Sequence, residues 1–230
     1  NLPAVPLTLH SIFTGNPGTG KTTVARTLAN ILHSIGALSE EKLVEVGRAD
    51  LVAEYVGQTA VKTNKVIDSA IGGILFIDEA YSLCNGPHDY YGREAINTLL
   101  QRMENNRDKL VVILAGYDKE VKQLVDSNPG LQSRFTRIVH FEDYSITELE
   151  GIFKSIMCKY QLTFGRGARQ KLHDVFTEKL KNKSPNFGNG RYVRNVFENA
   201  LQEQALRLGR IINPTIRQLC TITAQDIQAL

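Results

Sequence analysis

Gly15, Gly20, Lys21 and Thr22 stand in the spacing G-x-x-x-x-G-K-T, within Gly15-Asn16-Pro17-Gly18-Thr19-Gly20-Lys21-Thr22-Thr23. Glycines at this spacing let a backbone curl with its N–H groups turned inward, the geometry that cradles a phosphate chain. Lys21 would bring an ammonium to the β- and γ-phosphates, and Thr22 a hydroxyl to Mg²⁺. A strand-like run at residues 10–14 precedes the loop, and a helix-like run from 21 to about 35 follows it. A helix that begins at the phosphates adds the positive end of its dipole. A glycine-rich turn with an incidental lysine would lack that context. Residues 16–23 read as a nucleotide site.

A second constellation follows the continuous apolar run Ile74-Leu75-Phe76-Ile77, which ends in Asp78-Glu79. This is the pattern of a central parallel strand with carboxylates at its C-terminal edge. Beside a phosphate loop, Asp78 would hold the hydration shell of Mg²⁺, and Glu79 would polarise a water for attack on the γ-phosphate. Two solvent-facing acids at a strand end are the ordinary alternative. The phosphate loop in the same chain favours the chemical reading.

These residues need a scaffold, and the remaining pattern supplies one. Further strands are expected at residues 42–46, 110–115 and 138–141, and helices at 60–71 and 94–105. Residues 86–92 read as a polar loop, and residues 131–135 close a short helical piece after the turn Asn128-Pro129-Gly130. Beyond Tyr144 only helices are expected, at about 146–160, 167–181 and 191–208, with a linker at 183–190. Ser145 and Glu148 have the spacing of a capping box. Alternating strands and helices followed by helices alone predict an α/β domain over residues 1–143. A small helical domain over residues 144–230 completes the chain.

Composition narrows the function. With 27 Lys and Arg against 24 Asp and Glu, the formal charge of +3 is too small to argue for nucleic acid or an anionic membrane surface. Cys84, Cys158 and Cys220 are widely spaced and form no metal-ligand pattern, so they read as reduced thiols. No apolar run is long enough to span a bilayer, and no signal peptide opens the sequence. Cytoplasm is the expected location. The start at Asn1, a few residues before the first strand, suggests an omitted upstream segment.

At this point the chain resembles the AAA+ ATPases, in the branch that contains stage V sporulation protein K, the red-type Rubisco activase CbbX and ATPases of type VII secretion systems. The resemblance runs through FTGNPGTGKTTVA, RADLVAEYVGQTA, GGILFIDEAYSL, YGREAI…LLQRMENNRD, LVVILAGY and NPGLQSRF. GILFIDEAYSL and NPGLQSRF look more like the sporulation-type members. The similarity implies a P-loop NTPase three-layer sandwich with a parallel sheet, the AAA+ core, and a C-terminal α-helical lid.

It also implies roles that the residues alone would not. Tyr55-Val56-Gly57 matches the aromatic loop that lines the pore of a hexamer and holds an extended polypeptide; alone, Tyr55 would read as a buried tyrosine before a turn. The loop at 85–92 matches a second pore loop, with Tyr90 and Tyr91 as weaker candidates. Arg134 matches the arginine finger that reaches the nucleotide of a neighbouring subunit, with Arg137 the alternative. Arg191 matches the sensor-2 arginine of the lid, and Arg194 could hold that role instead. No sensor-1 asparagine ends the strand at 110–115, where Ala115-Gly116-Tyr117 stands, so sensor 1 is unassigned.

The reading that results is an ATP- and Mg²⁺-dependent ring motor, a homo-hexamer acting on a protein substrate, with Lys21, Thr22, Asp78 and Glu79 acting in cis and Arg134 in trans. A nucleotide-gated assembly or scaffold protein with little turnover is the alternative. A nucleic-acid motor is disfavoured by the low net charge.

Overall fold

Buried on both faces, a parallel strand needs no alternation, and Ile74–Ile77 shows it: all four side chains are inaccessible to solvent. In the computed structural model, which describes residues 9–55, 57–84, 86 and 88–229, this strand is β3. It joins Ser11–Gly15 (β1), Leu43–Val46 (β2), Val111–Gly116 (β4) and Arg137–Phe141 (β5) in a parallel sheet of order β2-β3-β4-β1-β5. Thr14 lies in register with Gly116, and Ile77 with Leu114. Ile74 and Phe76 pack with Phe13 and with Ala25, Ala29 and Leu32 of Lys21–Ser34 (α1). Leu75 and Ile77 enter the opposite layer. There they join Ile67 of Thr59–Ala70 (α3), Leu99 and Met103 of Tyr90–Asn105 (α4), and Val121 of Asp118–Asp126 (α5). Arg48–Leu51 (α2), Pro129–Arg134 (α6) and a single 3-10 turn at Ala80–Leu83 also belong to this unit. Strand β5 is an edge, and Arg137 to His140 are exposed.

The chain divides into two compact units. One takes the chain through Gly15 and again from Gly20 to Phe141; the other takes Asn16–Thr19 and the chain from Glu142 onward. The second unit is built on Ile146–Lys159 (α7), Ala168–Lys181 (α8), Asn189–Leu208 (α9) and the single turn Ile216–Leu219 (α10). Its core holds Leu149, Phe153, Leu172, Phe176, Val193 and Phe197. Phe153 meets Phe197 edge-on at 5.6 Å. The capping box at the start of α7 is formed, with Ser145 Oγ accepting from the Glu148 amide and Glu148 Oε2 from the Ser145 amide.

Several expectations need correction. The second unit is not wholly helical: Thr163–Phe164 (β6) pairs in parallel with Thr221–Ile222 (β7). Two-residue strands are too short for an alternating pattern to register. Helix α4 begins at Tyr90 rather than 94, because Asp89 accepts from the Gly92 amide and caps it there. Helix α9 begins at Asn189, inside the expected linker. Helix α5 is an addition to the expected elements; its buried positions Val121, Leu124 and Val125 keep the i, i+3, i+4 spacing of a helix face, but over little more than one turn.

Candidate functional site

The loop after β1 carries the conformations that its glycines allow. Gly15, Gly18 and Gly20 have φ of +133°, +73° and +90°. At Gly15 a Cβ would also collide with the carbonyl of Phe141 on β5, so glycine is required there on two counts. Gly20 precedes the first turn of α1, and no side chain caps that end. The first-turn amides and the dipole are therefore directed at whatever occupies the loop. Lys21 Nζ donates to the Gly15 carbonyl at 2.7 Å, folding the ammonium back along the loop. Within the second unit, Thr19 Oγ1 donates to the carbonyl of Asn16 at 2.8 Å and tightens the loop's first half.

Asp78 and Glu79 follow β3 and leave the same C-terminal edge of the sheet as Gly20, Lys21 and Thr22. Only β4 separates β1 from β3, a lateral spacing of about 10 Å. Asp78 is half-buried and its Oδ1 accepts from the Glu79 amide at 3.0 Å. Glu79 is exposed and sits at φ +48°, ψ +44°, a left-handed conformation that costs a non-glycine residue free energy. Such strain persists where surrounding structure over-determines it, and it clusters at sites of chemistry. Thr22 and Asp78 offer oxygen donors only, a hydroxyl and a carboxylate. That donor set fits Mg²⁺, which takes one or two protein oxygens and completes its shell from phosphate and water.

Strand β4 ends between these two groups. Tyr117 follows it with its ring 5.9 Å from that of Tyr81. Burial, followed by the charge of Glu79, raises the pKa of Tyr81 and keeps its phenol neutral. Sequence reasoning passed over a neighbouring trio. His140 Nδ1 lies 2.8 Å from Asp118 Oδ1 and 3.2 Å from Thr14 Oγ1. Burial works against the Asp118 charge, but hydrogen bonds from Thr14 and His140 outweigh it and lower its pKa. These three come from β1, α5 and β5, so no local spacing could have announced them.

Tyr55 is 68% exposed, on the connection between α2 and α3, and Gly57 has φ +77°. The connection is tied at its base. Thr59 Oγ1 accepts from the Ala53 amide and Thr63 Oγ1 donates to the Leu51 carbonyl. An aromatic ring is thus held out on a short, anchored loop. Val56 lies outside the described residues, as do Asn85 and Pro87 of the loop expected at 85–92. Tyr90 is exposed and Tyr91 half-buried, both in the first turn of α4.

Arg134 ends α6, a helix set by Asn128 as N-cap and Pro129 at its first turn. Its guanidinium is turned to Glu104 Oε2 of α4 at 3.2 Å and to its own helix carbonyl at Gly130. Arg191 and Arg194 are both exposed on the first two turns of α9, so burial does not choose between them. A cleft of about 810 Å³ in the first unit is lined by Tyr81, Arg93, Asn97, Glu120 and Asn128, among others, and includes none of the phosphate-loop residues. Among the described residues no helix is long and apolar enough to cross a membrane.

Comparison with known proteins agrees with this architecture. Residues 11–143 match the model of the ATPase family associated with various cellular activities (AAA), and residues 145–230 match the AAA lid domain. The chain belongs to the AAA family of ATPases. It is 45% identical over 220 residues to stage V sporulation protein K of Bacillus subtilis (strain 168), covering 95% of this chain and 68% of that one. It is 46% identical over 226 residues to the plasmid-encoded protein CbxX of Cupriavidus necator, covering 96% and 70%. Against the ESX-1 secretion system protein EccA1 of Mycolicibacterium smegmatis it is 45% identical over 232 residues, covering 96% of this chain but 40% of that protein. The crystal structure of the FIGL-1 AAA domain in complex with ADP superposes with a TM-score of 0.65 at 18% identity, over 95% of this chain and 69% of that one, a likeness of fold. Family membership implies nucleotide binding and ATP hydrolysis.

Proposed function

We propose that this chain is the ATPase core of a ring motor that remodels a protein substrate, with each nucleotide bound where two subunits meet. The observation that carries the reading is that, within the first unit, Gly15 and Gly20–Thr22 of the phosphate loop and the Asp78–Glu79 pair lie at one edge of the sheet, with Glu79 exposed and in a strained backbone conformation. The amides of residues 18–21 and the Lys21 ammonium would bind the phosphates of ATP. Thr22 and Asp78 would hold Mg²⁺, which supplies charge neutralisation on the β- and γ-phosphates. Glu79 would orient a water in line with the γ-phosphate and accept its proton, so that ATP and water give ADP and phosphate. Arg134, with Arg137 the alternative, would stabilise the transferring group from the adjacent subunit, making hydrolysis depend on assembly. Arg191 or Arg194 would read the nucleotide from the lid. The Tyr55 ring, exposed on its anchored loop, suits contact with side chains of varied sequence. The loop formed by Tyr55, Val56 and Gly57 would then face the substrate in the pore.

The test is ATP turnover per subunit over a wide range of protein concentration, for wild type, Glu79→Gln and Arg134→Ala. Specific activity should rise with concentration. Both variants should lose hydrolysis by about 100-fold or more, while Glu79→Gln still binds ATP. Turnover independent of concentration would remove the shared site. Negligible turnover with ATP bound at every concentration would replace the motor with a nucleotide-gated scaffold.

A further inference from the structure

The first half of the phosphate loop, Asn16–Thr19, groups with the helical unit, and each of its four residues is held there by a hydrogen bond. Asn16 Nδ2 donates to Asp143 Oδ1 at 2.9 Å. The Pro17 carbonyl accepts from Asn189 Nδ2 at 3.4 Å, the Gly18 carbonyl from the Gly190 amide at 3.0 Å, and the Thr19 carbonyl from the Tyr144 hydroxyl at 2.9 Å. Asn189 is the hub. It is fully buried, sits at φ +44°, donates to Asp143 Oδ1 at 2.7 Å and to the Phe187 carbonyl at 3.0 Å, and accepts from the Tyr144 amide at 2.8 Å. Lys183 Nζ closes the network on Asp143 Oδ2 at 2.9 Å. Burial opposes the Asp143 charge, but hydrogen bonds from Asn189, Lys183 and Asn16 outweigh it and hold the carboxyl below the usual range. Gly18 fits because a Cβ there would strike the Gly188 carbonyl.

Three consecutive carbonyls, at positions 17, 18 and 19, are thus drawn to donors of the helical unit. In a trans peptide the carbonyl and the following N–H point in opposite directions. Fixing these oxygens outward therefore turns the amides of Gly18, Thr19 and Gly20 the other way, toward a phosphate. If the carbonyls were loose, the same peptides could rotate and present oxygens to the anion, which repels it.

We infer that Asn189, Asp143 and Tyr144 are positioning residues that set the anion-binding face of the phosphate loop from behind. They touch the loop, not the reacting atoms. The inference rests on the nucleotide-site reading above, and one assay separates the two. The affinity of a ribose-labelled fluorescent ADP, the KM and kcat for ATP, and nucleotide-free thermal unfolding are measured for wild type, Tyr144→Phe and Asn189→Gly. Tyr144→Phe deletes only the hydroxyl donor to Thr19. Asn189→Gly deletes the carboxamide yet tolerates the positive φ.

Each variant should raise Kd and KM by about five- to ten-fold, the scale of one lost hydrogen bond, with kcat changed less. Tyr144→Phe should lower the unfolding temperature by only about 2–4 °C and stay folded at the assay temperature, so its weaker binding cannot be ascribed to unfolded protein. Unchanged Kd in Tyr144→Phe, or weakening in Asn189→Gly that only tracks its unfolded fraction, overturns the proposal. A wild type that binds no labelled ADP overturns the nucleotide site itself.

Discussion

Arg48 holds Asp89 through both arms of its guanidinium, at 2.6 and 3.1 Å, and the same group donates to the carbonyls of Ser82 and Leu83. Asp89 in turn caps α4 through the Gly92 amide. One side chain thereby pins three segments of the first unit: the start of α2 that leads to Tyr55, the turn that follows Glu79, and the start of the Tyr90 helix. The Asp89 side chain is only 7% exposed, so the pair is shielded from solvent screening.

Arg48→Met should therefore destabilise the protein by about 3 kcal/mol, because it removes the cation that neutralises a buried carboxylate. Arg48→Lys should recover little, since a point charge cannot replace a planar fork that serves four acceptors. Urea unfolding of the two variants would show it. A loss below 1 kcal/mol for Arg48→Met would mean that water replaces the guanidinium.

The backbone at Glu79 sets activity against stability. At φ +48° a glycine is less strained than a glutamate. Glu79→Gly should abolish hydrolysis while matching or exceeding wild-type stability by up to about 1 kcal/mol. Glu79→Gln should abolish hydrolysis without that gain. Denaturation midpoints of both variants against wild type decide the matter.

A buried histidine gives the fold a pH response. His10 is 3% exposed, and its Nδ1 accepts from the Val112 amide at 3.0 Å. Burial, reinforced by the charge of Arg134 and partly offset by Glu104, lowers its pKa from 6.5 to about 4. Between those values the unfolded chain binds a proton that the folded chain refuses. Stability should accordingly fall as pH drops from 6.5 toward 4, by at most about 3 kcal/mol, and level off below. His10→Leu should flatten that slope while losing about 1–3 kcal/mol at neutral pH, because the Val112 amide loses its acceptor. Unfolding free energies across that range would test both.

In the second unit Asp226, 1% exposed, accepts from Arg207 through two hydrogen bonds of 2.8 Å and from Thr223. Burial raises its carboxyl pKa, but the bonds from Arg207 and Thr223 outweigh that and lower it overall. The contribution of a depressed carboxyl is complete above its unfolded value near 3.8 and fades as pH falls through the lower folded value. Asp226→Ala should cost about 3 kcal/mol at pH 7 and much less once the wild-type carboxyl is protonated. Lid-localised hydrogen exchange would register the difference.

By itself the sequence determined those parts of the protein whose physical cause is local. The phosphate loop was legible because its conformation depends on glycines and on the helix that starts at Lys21, all within one contiguous stretch. The strand leading to Asp78 was legible because two-sided burial leaves an unbroken apolar run, and the start of α7 because Ser145 and Glu148 are one helical turn apart. Tertiary structure alone decided what holds these parts in place. Asn189 and Asp143 are 46 residues apart, Arg48 and Asp89 are 41 apart, and His10 and Val112 are 102 apart. In the sequence, Asn189 belongs to a polar linker and Asp143 to the junction of the two expected domains, where nothing marks either as buried. Polar side chains carry no sign of their burial until the packing of distant elements removes water and leaves them each other as partners.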